Sequence, residues 1–124
     1  MKTHKFDFFI AYADTDAFGI AYHARYIEMA ERARMEWSRG VKYPDGDVGF
    51  VVRELDIKYM TPLLPGDKFV IETTPTNVGA ASVKIEQKFL RGGVICAIMH
   101  ITIAYLGGDM HPKAIPESVL KVFE

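Results

Sequence analysis

The segment from Val94 to Leu106 constrains this chain more than any other. In an extended strand, Ile95, Ala97, Met99, Ile101, Ile103 and Tyr105 share one face, and all are apolar. The opposite face carries Val94, Cys96, Ile98, His100, Thr102, Ala104 and Leu106, most of them apolar too. A strand that is apolar on both faces is covered on both faces. The chain must therefore build a sheet around this segment and find something to lie on each side of it.

Only one stretch supplies a helix long enough for that task. From about His23 to Arg39, Tyr22, Tyr26, Ala30, Ala33 and Trp37 recur at helical intervals, with Ile27 and Met29 beside them. Glu28, Glu31, Arg32 and Glu36 occupy much of the other side, and Gly40 stands where a helix commonly stops. Such a helix is ~25 Å long at 1.5 Å per residue. It covers one side of a sheet, so the second cover is expected to be another subunit.

The remaining strands follow from period-two alternation. Phe6, Phe8, Ile10 and Tyr12 mark a first strand; Leu55, Ile57 and Tyr59 a second; Phe69, Ile71 and Thr73 a third; Val83, Ile85 and Phe89 a fourth. The turn from Thr61 to Asp67 is punctuated by proline and glycine, and Gly92-Gly93 makes a tight one. Short turns between the later strands imply antiparallel pairing. The expected architecture is α+β: a five-stranded antiparallel sheet wrapped around one long central helix, as a single domain over residues 1–124. The tail from Pro116 to Phe123 reads as one or two helical turns.

The totals narrow the function. With 15 lysines and arginines against 16 aspartates and glutamates, the formal charge is −1. That balance leaves no electrostatic footprint for nucleic acid. The single cysteine, Cys96, excludes an internal disulfide. Together with a polar start, Met1 to Lys5, that lacks an apolar signal core, it suggests a cytoplasmic setting. No apolar run reaches the roughly 18 residues of a membrane span. His4, His100 and His111 are scattered without metal-ligand spacing, so no metal is expected. No glycine-rich phosphate loop is present either.

Chemistry concentrates in the segment Tyr12 to Arg34, which joins the first strand to the helix. It gathers two carboxylates, Asp14 and Asp16, a flexible Gly19 and a histidine, His23. A helix start offers unpaired N–H groups and the positive end of the macrodipole, which suit an oxygen that becomes anionic. A carboxylate nearby can attack or can activate water.

This segment resembles the signature of hotdog-fold acyl-CoA thioesterases of the 4-hydroxybenzoyl-CoA thioesterase type, including their Tol–Pal-associated branch. The residues that carry the resemblance are Tyr12, Asp14, Thr15, Asp16, Gly19, Tyr22, His23 and Tyr26, then Glu31-Arg-Ala-Arg34. The order of helix and strands, the Tyr59 to Asp67 turn and the length agree as well. The resemblance implies hydrolysis of an acyl-CoA thioester, with Asp16 as nucleophile or general base. It implies His23 at the helix start, its backbone N–H polarising the carbonyl and its side chain also assigned to catalysis. Gly19, Tyr22 and His23 would contact substrate. Coenzyme A would enter as part of the substrate, with no separate cofactor. The site would lie between subunits of a homodimer or homotetramer. One departure stands out: Arg25 occupies a position where many members carry asparagine.

Each residue also has a plainer reading. Aspartate is common in turns and before helices, so Asp16 alone would suggest a cap. Asp14 reads as structural, bonding loop amides. Glu31 reads as part of a charged helix flank and is a reserve candidate only. Arg53, Lys58, Arg91 and Lys113 are the candidate cations for the phosphates of CoA. A dehydratase or hydratase on the same fold, or a non-catalytic acyl-CoA-binding protein, remains the alternative.

Overall fold

The computed structural model describes residues 2–124; of the polar stretch Met1 to Lys5, Met1 lies outside the described residues. Five strands form one antiparallel sheet: β1 (His4–Phe9), β2 (Gly49–Tyr59), β3 (Lys68–Val78), β4 (Ser82–Arg91) and β5 (Val94–Leu106). Their order across the sheet is β1-β3-β4-β5-β2, so β1 and β2 are the edges. A helix, α1 (Arg25–Trp37), lies on the inner face, and a short helix, α2 (Glu117–Leu120), follows the sheet. This is the hotdog arrangement. No helix among the described residues is long and apolar enough to cross a membrane.

The two-faced strand sits where its composition demands. β5 pairs with β4 on one side and β2 on the other. Its inward residues Ala97, Met99, Ile101, Ile103 and Tyr105 are buried. The outward face is mixed: Val94 and His100 are exposed and Ile98 is half-buried, while Thr102 and Ala104 are buried within the single chain. In the register, Thr102 lies between Lys84 and Glu54.

α1 begins two residues later and ends two residues earlier than its periodicity suggests, giving 13 residues and about 20 Å of helix. Tyr26, Met29, Ala30 and Ala33 are its buried face. Ala30 and Ala33 are fully enclosed, and their small side chains let the helix lie close to the sheet. Around this contact Ile10, Leu63, Phe69, Ile71, Phe89 and Met99 form one apolar cluster. The helix is too short to cover the rest. Beyond its end, Ile115, Val119 and Phe123 of the tail close a second cluster over Val83, Ile85, Ile101, Ile103 and Tyr105. Burying each large apolar side chain is worth roughly 1.5–3 kcal/mol.

The core beneath the helix carries two polar residues, Thr73 and Gln87. Gln87, on the inward face of β4, is fully buried beneath α1. Its amide donates to the Ala30 carbonyl and to Thr73 Oγ1, each at 3.0 Å. Its carbonyl accepts from Arg34 Nη1 at 2.9 Å. Burial pushes the Arg34 guanidinium below its ordinary value. A buried amide satisfied on both ends ties one helix position to one strand position, and removing it would strand its partners.

Two departures have local causes. The first strand stops at Phe9 instead of running to Tyr12, because Ile10 turns to bond the 60s loop: its N–H meets the Asp67 carbonyl and its carbonyl takes the Gly66 N–H. β2 starts at Gly49, well before the alternation becomes readable at Leu55, because a bulge between Val52 and Glu54 breaks its period.

At the far end of the molecule, buried Tyr105 donates its hydroxyl to Asp47 Oδ2 at 2.8 Å, and Lys113 Nζ reaches Asp47 Oδ1 at 2.8 Å. These bonds hold the Asp47 carboxyl below its ordinary range, the Lys113 ammonium first and the Tyr105 hydroxyl second. Burial, with the same carboxylate, pushes the Tyr105 hydroxyl up to about 12. A carboxyl with a depressed folded value adds stability above its unfolded value of about 3.9, and that stability is lost as pH falls through the folded value. Denaturant midpoints of the wild type and Asp47→Asn should therefore differ at neutral pH and converge as pH drops below about 4. A gap that stays constant into acid would contradict the latch.

Candidate active site

Asp16 sits in a small hairpin between β1 and α1. A bridge pairs Thr15 with Ala21. The Asp16 N–H donates to the Ile20 carbonyl, and the Gly19 N–H donates to the Asp16 carbonyl, both at 3.0 Å. Gly19 takes φ +77°, a conformation that glycine adopts at little cost. Asp16 Oδ1 accepts the Phe18 N–H at 2.8 Å. Its other carboxylate oxygen has no hydrogen-bond partner among the described residues. The hairpin thus fixes the carboxylate through one oxygen and leaves one free.

Asp14 does different work. Its Oδ2 accepts the Ala11 N–H at 2.9 Å, and its backbone carbonyl takes the Tyr22 N–H at 2.8 Å. It closes the start of the loop, in line with its structural reading.

His23 stands two residues before the first residue of α1, in the turn closed by the Arg25 N–H on the Tyr22 carbonyl. The expected helix start at His23 is therefore displaced, and the residue belongs to the turn that leads into the helix. Its backbone N–H makes no hydrogen bond among the described residues. Its carbonyl accepts the Tyr59 hydroxyl at 2.7 Å. Its ring lies 4.6 Å from that of Tyr22 and 6.4 Å, edge-on, from that of Tyr59.

Asp16 and His23 line one cleft of about 230 Å³. Ile20 and Ala21 complete the hairpin side, and the buried Tyr26 of α1 lies beneath. The opposite wall is Tyr59, Met60, Thr61 and Pro62, at and beyond the end of β2. That wall is pinned to the body. The N–H groups of Met60 and Thr61 both donate to the Cys96 carbonyl, at 2.8 and 3.1 Å. Arg91 Nη1 bridges the Pro62 carbonyl at 3.1 Å and Asp67 Oδ2 at 2.8 Å. The Leu64 N–H and the Arg91 guanidinium hold the Asp67 carboxyl below its ordinary range. The two walls are stitched directly by the Ala21 N–H on the Leu63 carbonyl at 2.8 Å.

Other sequence candidates fall elsewhere. Gly19 shapes the hairpin and does not line the cleft; Tyr22 is exposed and flanks the His23 ring. Glu31 lies on the exposed flank of α1 and borders a larger cavity of about 460 Å³ with Arg34, Trp37, Phe50 and Phe123. That cavity contains neither Asp16 nor His23, so it offers no paired carboxylate and loop N–H for acyl transfer. Cys96 is buried as a free thiol. Of the four candidate cations, Arg91 and Lys113 are committed to Asp67 and Asp47. Arg53 and Lys58 are exposed on β2 without an ion pair among the described residues. Sequence reasoning missed the Tyr59 to Pro62 wall as a site element. The only local signal was the aromatic at the end of a strand followed by a proline-rich turn.

Comparison with known proteins fits this geometry. The thioesterase-like superfamily pattern matches residues 10–123. The chain belongs to that superfamily. An acyl-CoA thioesterase, YbgC, of Haemophilus influenzae is 32% identical over 121 residues, covering 92% of this chain and 89% of the relative. The crystal structure of a probable thioesterase from Bartonella henselae matches with a TM-score of 0.81 at 31% identity, over 92% of this chain and 98% of that one. A 1,4-dihydroxy-2-naphthoyl-CoA thioesterase from Synechocystis matches with a TM-score of 0.89 over 98% and 96% of the two chains. At 16% identity this last likeness speaks for the fold alone.

Among the described residues, the Tyr59 bond to the His23 carbonyl is the one side-chain hydrogen bond across the cleft mouth. Tyr59→Phe should lower stability by about 0.5–1.5 kcal/mol, the net value of one hydrogen bond. The denaturant midpoint should fall with an unchanged m value, whereas an unmoved midpoint would show that the bond does not hold the turn.

Proposed function

We propose that this chain hydrolyses acyl-CoA thioesters in the cleft between the Asp16 hairpin and the Tyr59 to Pro62 wall. The observation that carries the reading is the pairing, on one cleft, of a carboxylate oxygen without a partner and a backbone N–H without an acceptor. Thioester hydrolysis needs these two parts. The thioester carbonyl oxygen takes the His23 N–H, close to the positive end of α1. Asp16 then either attacks the carbonyl carbon or removes a proton from a water that does so. In the first route a C–O bond forms, the carbonyl electrons move onto oxygen, and their return breaks the C–S bond. CoA leaves as the thiolate, and water splits the resulting mixed anhydride to regenerate Asp16 and release the acid. In the second route the water oxygen becomes part of the acid directly. Both routes consume one water and yield the acid and CoA.

The name of a relative supports the substrate class: the Haemophilus protein is an acyl-CoA thioesterase. Of the four candidate cations for the phosphates of CoA, Arg53 and Lys58 are those without an ion pair among the described residues.

The functional unit in this reading is a dimer at least. β2 is an 11-residue edge strand with one side unpaired, and Val52 on it and Met35 on the adjoining helix are exposed apolar side chains. Such an edge is a template for a second strand. A second copy would cover it and extend the walls of the site. Light scattering at micromolar concentration should give a mass of at least two chains, and Val52→Lys should reduce it. A wild-type monomer would overturn this part.

The direct test is thiol release from a panel of acyl-CoAs spanning chain length and aromaticity, with Asp16→Asn beside the wild type. The variant should lose at least about a hundredfold in kcat, no less than the cost of one lost oxyanion-hole donor. Wild-type turnover by Asp16→Asn would remove Asp16 from the mechanism.

A further inference from the structure

The hairpin that carries Asp16 is closed by its own hydrogen bonds, but those bonds say nothing about its angle to the helix. Something must tie its outgoing arm to α1. On the return arm, Ala21 is bonded to Leu63. On the outgoing arm, the tie is Arg25. This residue opens α1, and its guanidinium reaches back across the loop. Nη2 donates to the Ala13 carbonyl at 3.1 Å, and Nε lies 3.7 Å from Asp14 Oδ1. Nη1 donates to Glu28 Oε2 at 2.6 Å, one turn along the same helix.

A cation at the first residue of a helix faces the positive end of the macrodipole and is disfavoured there. The two carboxylates, Glu28 foremost and then Asp14, offset that cost and raise the guanidinium above its ordinary value. Arg25 is not among the residues lining the cleft; it lines a separate cavity of about 390 Å³ with Asp14, Glu28 and Arg32. We propose that Arg25 is a positioning residue for Asp16: it fixes the angle of the hairpin to the helix start, and so the separation of the Asp16 carboxylate from the His23 N–H. This inference rests on the thioesterase reading of the cleft. Its particular content is that Arg25 acts on the rate step through geometry, and not on the choice or affinity of substrate.

Fork geometry makes the proposal specific. One guanidinium engages a backbone carbonyl, a loop carboxylate and a helix carboxylate from different nitrogens, which a lysine ammonium cannot reproduce with the same planarity. A misplacement of about 1 Å in a reacting group can cost on the order of a hundredfold in rate. Loss of one of several ties should cost less than that.

The experiment measures kcat and KM for wild type, Arg25→Ala, Arg25→Lys, Glu28→Gln and Asp16→Asn on one acyl-CoA, with circular dichroism and light scattering confirming fold and assembly. Asp16→Asn separates the two claims: if it keeps turnover, the reading of the cleft fails, whatever Arg25 does. With Asp16→Asn silent, Arg25→Ala should lower kcat by roughly tenfold, with KM within about twofold, the pattern of an interaction realised in the transition state. Arg25→Lys should recover part of the loss, Glu28→Gln should cost little, and millimolar guanidinium should partly restore Arg25→Ala. Should Arg25→Ala fail to fold, the Arg25→Lys and Glu28→Gln pair carries the same comparison. Wild-type kcat in Arg25→Ala, or a loss confined to KM, would overturn the proposal.

Discussion

The position of α1 on the sheet depends on a single buried amide. Gln87 lies beneath the helix and reaches the Ala30 carbonyl, Thr73 and Arg34 at once. Apolar packing by Ala30 and Ala33 brings the helix close to the sheet, but apolar contact is non-directional and tolerates sliding. The amide bonds do not. They set which turn of the helix lies over β4, and therefore where its first turn ends relative to the Asp16 hairpin and the end of β2. The cleft is a consequence of that placement: its floor is Tyr26, one turn before Ala30, and its mouth is bridged from Tyr59 to His23.

The site then assembles from two loop segments, one of them anchored to β4 and β5 of the sheet. The hairpin holds Asp16 by one carboxylate oxygen. The 60s segment is held by Cys96, Arg91 and Asp67. Ala21 and Leu63 join the two. Rigid walls matter for acyl transfer because a donor aimed at the developing oxyanion is effective only if it need not reorganise during reaction. The structure supplies that rigidity with backbone hydrogen bonds, leaving the chemically useful groups, one carboxylate oxygen and one N–H, free of internal partners.

Much of this was legible in the sequence, and the illegible parts share a cause. The two-faced strand, the single amphipathic helix and the helical tail follow from periodicity, because packing against a sheet imposes that periodicity directly. Asp16 and His23 stand in one short segment, and the structure places both on one cleft. The Tyr59 to Pro62 wall was not legible, because Tyr59 is separated from His23 by 36 positions and no local pattern marks it as a partner. Gln87 carries no signal in the sequence, because its role exists only in the company of Arg34, Thr73 and the Ala30 carbonyl. The early half of β2 was hidden by its bulge, and the helix start by the turn through His23 and Ala24 that delays it. On the outward face of β5, Thr102 and Ala104 are buried within one chain, while Val94 and His100 stay exposed.

The central claim is that the free Asp16 oxygen and the free His23 N–H receive the thioester in the same cleft. The most direct test is the backbone amide spectrum of the folded protein titrated with a thioether analogue of an acyl-CoA, which binds but cannot be hydrolysed. The account predicts the largest shifts at the His23 amide and at the Phe18 amide that bonds Asp16. Shifts concentrated instead around Arg34, Trp37 and Phe50 in the larger cavity, with His23 and Phe18 unmoved, would contradict it.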